Sequence, residues 1–492
     1  MLMWIIAVTI AVVVLAAAYE VIAFQYLPKH IFRARKKSGY DATITRLRIL
    51  GRLPSLAGAK AKLHTWFYLG DMLYQARRYA EALEPLRAVC SFGTNPLDPP
   101  ARKRIAECLD ALGRPDEAAR ERLAAGFVAD AIGNPLLSAK TKAEMFSREQ
   151  KYDEACQQYE LAMGLATGPD FRLKRTLRLK LTLANMNAGH PSRVLGLSEQ
   201  GLLDDPDPLH KIIFHRMAGL ACANLGRLEI ADIHSQKAYD AAVQLGNTNQ
   251  QADSLGVLAY VRHQQGRLDE AIDLSRRAVE AAGEIGNRVA NTCLFETLMT
   301  MGRYQDAQNA ISQSRESTVM FVPSKERRST GAMNLGLARA AGELGNFNQA
   351  LDLVASATKD FQNNSMSAYC DSIRFWLLAE RGDAASEWMV ATESKVKSVD
   401  SPGAQRDIFG MLTRGALATG DYALGLRFAM CLLDLGPHPV DLPRAHYLIG
   451  ECRRGLGEID AARSAFNEAI GLGIETIWTK RARERLAEMA DV

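Results

Sequence analysis

The sequence predicts an all-α solenoid of about eleven helical hairpins preceded by one transmembrane helix, and three observations carry that expectation. The 492 residues are 48% hydrophobic but only 7% aromatic, with Ala, Leu, Glu and Arg prominent, which favours helices over a β-sandwich or barrel. A glycine-led turn recurs along most of the chain with a period near 38 residues. The first 19 residues, MLMWIIAVTIAVVVLAAAY, carry no charge.

Met1 to Tyr19 reaches across roughly 30 Å of hydrocarbon at about 1.5 Å per residue, and VIAFQYL continues the apolar run beyond Glu20. A cleaved signal peptide normally opens with a basic stretch before a shorter apolar core. Here no Lys or Arg precedes the run, so residues 1–27 are expected to form a retained anchor helix, with a cleaved signal as the alternative. Trp4, Tyr19 and Tyr26 suit the two interfaces. Lys29, Arg33, Arg35, Lys36 and Lys37 follow the span as a membrane-surface cluster, and the positive-inside rule puts the C-terminal bulk in the cytoplasm. Eight scattered cysteines with no CxxC pair agree with a reducing compartment. Glu20 reads as a headgroup-level residue rather than a proton relay.

Residues 28–62 form a basic juxtamembrane segment in which ten Lys and Arg face the single acid Asp41. The basic character of a chain with net charge +4 is concentrated there, and the rest is mildly acidic. Within the segment, DATITRLRILGRL spaces Ile44, Leu47 and Leu50 by three, with Arg46, Arg48 and Arg52 on another face. This suits either an amphipathic helix on anionic headgroups or a helix that caps the first end of the following array.

Residues 63–492 are the solenoid. GRLEIADIHSQKAYDAAVQLGN, starting at Gly226, and GRLDEAIDLSRRAVEAAGEIGN, starting at Gly266, share ten of 22 letters. With that glycine as a ruler, equivalent turns stand at Arg77, Gly113, Gln150, Gly189, Gly226, Gly266, Gly302, Gly345, Gly382, Gly420 and Gly457, at intervals of 36 to 43 residues. Five residues after the turn comes a small residue, as in Ala82, Ala118, Ala155, Ala231, Ala271, Ala307, Ala350 and Ala462. Seven before it, Gly70, Ala106, Ala143, Gly219, Ala259, Ala338 and Gly450 match it, so two helices can approach closely. One such pair cannot bury its faces alone, but stacked neighbours can. The longest interval contains ESTVMFVPSKERRS, Glu316 to Ser329, expected as an extended loop. The closing TKRARERLAEMADV suits a polar capping helix.

Trp66, Leu69 and Gly70, followed by Tyr79, Ala82 and Leu86, resemble the tetratricopeptide repeat (TPR), in which a helix bearing Trp, Leu and Gly is followed by a turn and a helix bearing Tyr and Ala. The resemblance covers about residues 63–490 and implies a right-handed α-solenoid of TPR-like hairpins. Departures occur at Gly189, Gly382 and Gly420, where Val194, Glu387 and Gly425 replace the alanine. Anchor, basic segment and repeat array together are also similar to the bacterial lipopolysaccharide assembly protein B family, inner-membrane adaptors, although this sequence lacks that family's C-terminal metal module.

No phosphate loop, dinucleotide fingerprint, HExxH or GxSxG occurs, and the nine histidines are scattered, so no catalytic residue, metal or cofactor is expected. The TPR resemblance instead implies a concave groove lined by the first helix of each repeat. Its register selects Arg216, Met217, Tyr260, Glu296, Arg339, Trp376, Met411, Arg414, Tyr447 and Glu451, where aromatic rings would stack on a peptide and arginines would pair with its carboxylates. Solvated faces and packing between repeats are the alternative use of these positions. The expected function is a non-enzymatic scaffold or adaptor that binds proteins or peptides at the cytoplasmic face of a membrane, in bacteria the inner membrane, with no nucleic-acid partner. A ligand- or peptide-sensing helical repeat regulator is the second reading.

Overall fold

The computed structural model describes all residues except 1, 94, 150, 167–170, 206, 284–287, 319–322, 362–363, 384, 400–401 and 491–492. The side chains of 2, 5, 36, 171–172, 288, 313–318, 323–330, 360 and 364–365 are likewise outside the description. Two compact units are present: residues 1–177 with 322–324, and the remainder. No strand occurs among the described residues.

The first unit opens with α1 (Leu2–Val21), a single π turn (Ile22–Tyr26), α2 (Leu27–Arg33) and α3 (Arg35–Arg52). Three hairpins follow: α4 (Leu63–Gln75) with α5 (Tyr79–Cys90), α6 (Asp98–Ala111) with α7 (Pro115–Ala131), and α8 (Pro135–Glu149) with α9 (Tyr152–Leu165). The second unit begins within α10 (Phe171–Ala188), which pairs with α11 (Pro191–Asp204). It continues through α12 (Pro208–Asn224) and α13 (Leu228–Gln244), α14 (Thr248–Gln264) and α15 (Leu268–Ala282), then α16 (Arg288–Thr300) and α17 (Tyr304–Thr318). The last hairpins are α18 (Pro323–Glu343) with α19 (Phe347–Asp360), α20 (Asn364–Arg381) with α21 (Ser386–Val396), α22 (Pro402–Ala418) with α23 (Tyr422–Asp434), and α24 (Leu442–Gly455) with α25 (Ile459–Gly471). Helix α26 (Ile477–Glu488) closes the chain.

Each described ruler position is a helix stop with positive φ, from 61° at Arg77 to 85° at Gly382. At Gly226 the geometry is explicit: its N–H donates to Ala223 O at 3.0 Å and the next N–H, Arg227, to Cys222 O at 2.8 Å. These bonds satisfy carbonyls that the helix leaves open, and only a residue free to enter the left-handed region completes them without strain. Gln150 lies outside the described residues. The small positions are tight by construction. Ala82, Ala231, Ala271 and Ala462 are fully buried, and a methyl group added at Gly450 would stand 2.5 Å from Phe466 Cε1.

The amphipathic stretch in the basic segment caps the array. Ile44 and Leu47 of α3 are buried against Met72, Leu73 and Leu86, and Leu50 packs with Ala23 and Phe24. Arg46 and Arg52 stay exposed on the other face, and Arg48 pairs with Glu81 at 2.6 Å. Helix α1 is covered by almost nothing: Val12, Val13, Val14 and Leu15 are each more than half exposed. Lys29, Arg33 and Lys37 are exposed, Arg35 is half-buried and bonds Gln75, and the side chain of Lys36 lies outside the described residues.

Of the stretch Glu316 to Ser329, expected as an extended loop, residues 319–322 lie outside the described residues; α17 runs to Thr318 and α18 starts at Pro323, where proline's fixed φ suits the first helical turn. After Gly382 the second helix starts at Ser386, four residues on rather than two, which leaves Glu387 exposed at the position that elsewhere holds the packed alanine.

Overpacking a crossing point should therefore cost more than its chemistry suggests. Gly450→Val is expected to lower stability by about 1–3 kcal/mol, read as a drop in the urea midpoint, while the same change at exposed Gly196, where added carbon meets nothing within 4 Å, should leave the midpoint unchanged or raise it slightly, because valine has the better helix propensity.

Candidate functional site

Helix α26 covers the last hairpin and also reaches back to much earlier repeats. Ile474 and Ile477 press on the turns at Gly266 and Gly302, where an added Cβ would lie 2.8 Å from each isoleucine's Cδ1. Arg481 donates to the Tyr304 hydroxyl at 3.4 Å and pairs with Glu343 at 3.5 Å, contacts that span 177 and 138 residues of sequence. The second unit thus closes on itself. Glu343 also pairs with Arg414, and the two side chains are only 6% and 12% exposed. The Arg414 guanidinium lies 4.0 Å over the Trp376 ring and 5.6 Å from that of Trp478, so a nearly buried cation is held by a carboxylate and by two aromatic faces.

Inside this closure is a cavity of about 70 Å³ lined by α14, α16, α18, α22 and α24 and by the first turn of α26. Its walls carry both signs of charge. Arg339 makes a two-pronged pair with Glu296, at 2.6 and 3.1 Å. Arg444 lies between Asp407 and Asp441, 3.4 Å from each. The Nε atoms of Arg339 and Arg444 are buried and have no hydrogen-bond partner in the structure.

The two carboxylates respond in opposite directions. Burial alone would raise Glu343, but the Arg414 and Arg481 guanidinium groups overrule it and hold the carboxyl below its ordinary 4.5. For Asp407 burial wins, and Arg444 and Arg339 only partly offset it, so the carboxyl sits above its ordinary 3.8. About half of the Asp407 side chain, 48%, remains open to the cavity. His263 is pushed down by burial and stays neutral at pH 7. The arrangement can hold a small polar group that both accepts from guanidinium and donates to carboxylate.

Nothing in the site supplies a nucleophile of ordinary reactivity. Burial pushes the thiols of Cys90, Cys108 and Cys452 up to about 12. Among the described residues no group of three or more His, Cys, Asp or Glu is arranged to hold a metal.

Family models for the tetratricopeptide repeat match residues 212–284 and 443–472. Those two stretches are tetratricopeptide repeats. Among solved structures, it is similar to the Cut9-Hcn1 hetero-tetramer of APC/C at 13% identity and TM-score 0.43, covering 96% of this chain and 98% of that one. It is also similar to a Rap protein complexed with Competence and Sporulation Factor, at 13% identity and TM-score 0.48, covering 72% of this chain and 99% of that one. No curated protein matches the sequence.

The ten positions chosen through the TPR register fall into two groups. Glu296, Arg339, Met411 and Arg414 line the cavity. The others engage neighbouring helices. Arg216 bonds Gln250 and Asp253 one repeat on, at 3.0 and 2.6 Å, and the Tyr260 hydroxyl donates to Asn224 one repeat back at 3.0 Å. Glu451 accepts from Arg485 of α26 at 3.0 Å. Met217, Trp376 and Tyr447 are buried, the last between Phe466 and Trp478, and present no open face to a peptide. Of the scattered histidines, His210 bonds Asp205 and His446 pairs with Glu468, while His215 faces His234 at 3.0 Å.

Glu343, Asp407, Asp441 and Arg444 were not among the expected residues. Asp407 and Arg444 each stand 13 residues before their turn glycines, Gly420 and Gly457, at the second position of the same repeat register that selected Met411, Arg414, Tyr447 and Glu451, so the signal was present. Glu343, Tyr304, Trp478 and Arg481 meet only because the chain closes, and no local pattern announces that.

Neutralising the two carboxylates should separate their roles. Glu343→Gln is expected to lower stability at pH 7 by about 2 kcal/mol, whereas Asp407→Asn should raise it or leave it unchanged. Because Glu343 has a lower pKa folded than unfolded, its contribution is complete above about pH 4.5 and is lost as the pH falls through the folded value. Urea midpoints measured from pH 3 to 7 should therefore converge for parent and E343Q at the acid end; a constant gap would contradict this assignment.

Proposed function

We propose that this protein is a membrane-anchored tetratricopeptide-repeat scaffold that holds protein partners at the cytoplasmic face of a membrane, in bacteria the inner membrane. Repeat arrays of this kind are protein-interaction scaffolds, which supports the coarser part of the reading. The observation that carries the finer part is α1, whose 20 residues are apolar but for Thr9 and Glu20 and almost wholly uncovered by the rest of the protein. An uncovered apolar helix of that length is stable in a bilayer and not in water. The basic cluster Lys29, Arg33, Arg35, Lys36 and Lys37 after it supports a cytoplasmic location for the repeats.

Partners are proposed to engage the face formed by the first helices of the repeats, through Arg216, Tyr260 and Glu451, with Glu296, Arg339, Met411 and Arg414 toward the cavity. Met217, Trp376 and Tyr447 hold that face in shape. No cofactor and no catalytic step belong to this reading. The cavity favours a second reading, a regulator that takes a small polar or zwitterionic effector, because its unpaired Nε atoms and the loosely paired Asp407, 3.4 Å from Arg444, are features that a ligand would satisfy. A scaffold without effector would show the same melting temperature with and without small-molecule extract.

Membrane fractions test the anchor. The full-length chain should remain in the pellet after alkaline carbonate extraction, with Met1 to Tyr26 intact, and the repeats should resist protease added outside intact cells yet be digested in inverted vesicles. Release into the supernatant, or a mature N-terminus beyond Tyr19, would sink the anchored scaffold.

A further inference from the structure

The loop between α3 and α4 is fastened to the end of α1. Glu20 accepts from the Ser55 hydroxyl at 2.9 Å, from the Ala57 N–H at 3.4 Å and from the Leu56 N–H, and the Tyr19 hydroxyl donates to Pro54 O at 3.3 Å. These four contacts place residues 54–57 beside the last turn of α1. Three residues past Glu20 the packing of the first unit begins, with Ala23 and Phe24 buried against Leu50. The 20 residues of α1, at about 1.5 Å each, measure about 30 Å, the thickness of a hydrocarbon core. If α1 spans, the bilayer boundary falls at Tyr19 to Val21, the level at which the loop is held.

The loop has the composition for that level. Leu56 is 79% exposed and nearly uncovered by the protein, and Leu53 is 37% exposed. Arg52 and Lys60 are exposed on its two sides, four residues before and after Leu56. An apolar tip flanked by cations matches the layering of a bilayer edge, acyl chain beneath phosphate. The bonds to Glu20 also give the one acid in the apolar N-terminal run a full set of donors where water is scarce.

We propose that the loop Leu53–Gly58 is a second membrane contact, in which Leu56 enters the hydrocarbon edge of the bilayer while Arg52 and Lys60 take the phosphates of anionic lipid headgroups. The proposal rests on the anchored reading of α1. With its span and this loop both in the bilayer, the first unit is tethered at two points and held in one orientation on the surface.

The test uses full-length protein in bilayers containing lipids brominated near the top of the acyl chain, with tryptophan emission as the readout. Trp4, within α1, reports the anchor, and Leu56→Trp reports the loop; comparing each with its W4F counterpart separates the two signals. We expect Trp4 to be quenched and at least half of the emission added by L56W to be lost. In bilayers with anionic lipid the loop signal should be quenched further, and Arg52→Gln with Lys60→Gln should return it to the level in zwitterionic bilayers. Quenching of Trp4 with no loss of the added L56W emission would overturn the loop contact and leave the anchor standing. Absence of Trp4 quenching would overturn the anchor and the loop contact with it, and quenching indifferent to anionic lipid would overturn the phosphate role of Arg52 and Lys60.

Discussion

The close approach of two helices at a small residue, held by a left-handed turn seven residues from one crossing point and five from the other, is the constraint on which the repeats depend. A glycine such as Gly226 lets the chain reverse within two residues, and Ala231 and Gly219 then bring the backbones together. Once the pair is close, its apolar residues cannot all be buried between two helices. They are covered by the next pair instead, and the sequence period becomes a spatial one. The stretch after Gly382 shows the dependence by exception: with two extra residues before α21, the usual packing position passes to solvent as Glu387.

Stacking in turn creates a polar problem and solves it. The first helices of successive repeats lie side by side, so their unburied faces bring charged side chains together at a spacing of one repeat. Arg216 meets Asp253, Arg339 meets Glu296, and Lys395 meets Asp371 within a single hairpin. Exposed pairs of this type contribute little to stability, yet those inside the closed second unit are taken from water and gain in strength as they lose solvation. The pair of Glu343 with Arg414, capped by two indole rings, is the best compensated of them; Asp407, with one guanidinium at 3.4 Å, is the least.

Much of this order was legible in the sequence because it is local. Turn glycines, crossing alanines and the exposed apolar helix each depend on a residue and its near neighbours, and the eleven-fold register followed from them. The ambiguity at Ile44, Leu47 and Leu50 was real, since the same spacing serves a lipid surface and a protein core; what resolves it is the presence of Met72 and Leu86 opposite, a tertiary fact. The candidate site was half legible. Register placed Glu296, Arg339, Met411 and Arg414 on the face that encloses the cavity and could have placed Asp407 and Arg444 by the same rule. Tyr304, Glu343 and Arg481 could not be joined in advance, because their meeting depends on how far the array curves before α26 returns to it.

Closure also changes what the shared positions mean. In an open array, the first-helix faces are free to bind, and differences between repeats read as specificity. In the second unit those faces are partly spent on one another: Trp376 is a shelf for Arg414, and Tyr447 is wedged between Phe466 and Trp478. A residue that serves as a rivet is sensitive to substitution whether or not it touches a partner, so loss of binding on altering Arg414 would not by itself identify a contact. Asp407 is different. Its charge is poorly compensated at 3.4 Å from Arg444 and its removal should not loosen the array, so a binding defect at this position would point to an occupant of the cavity rather than to the fold.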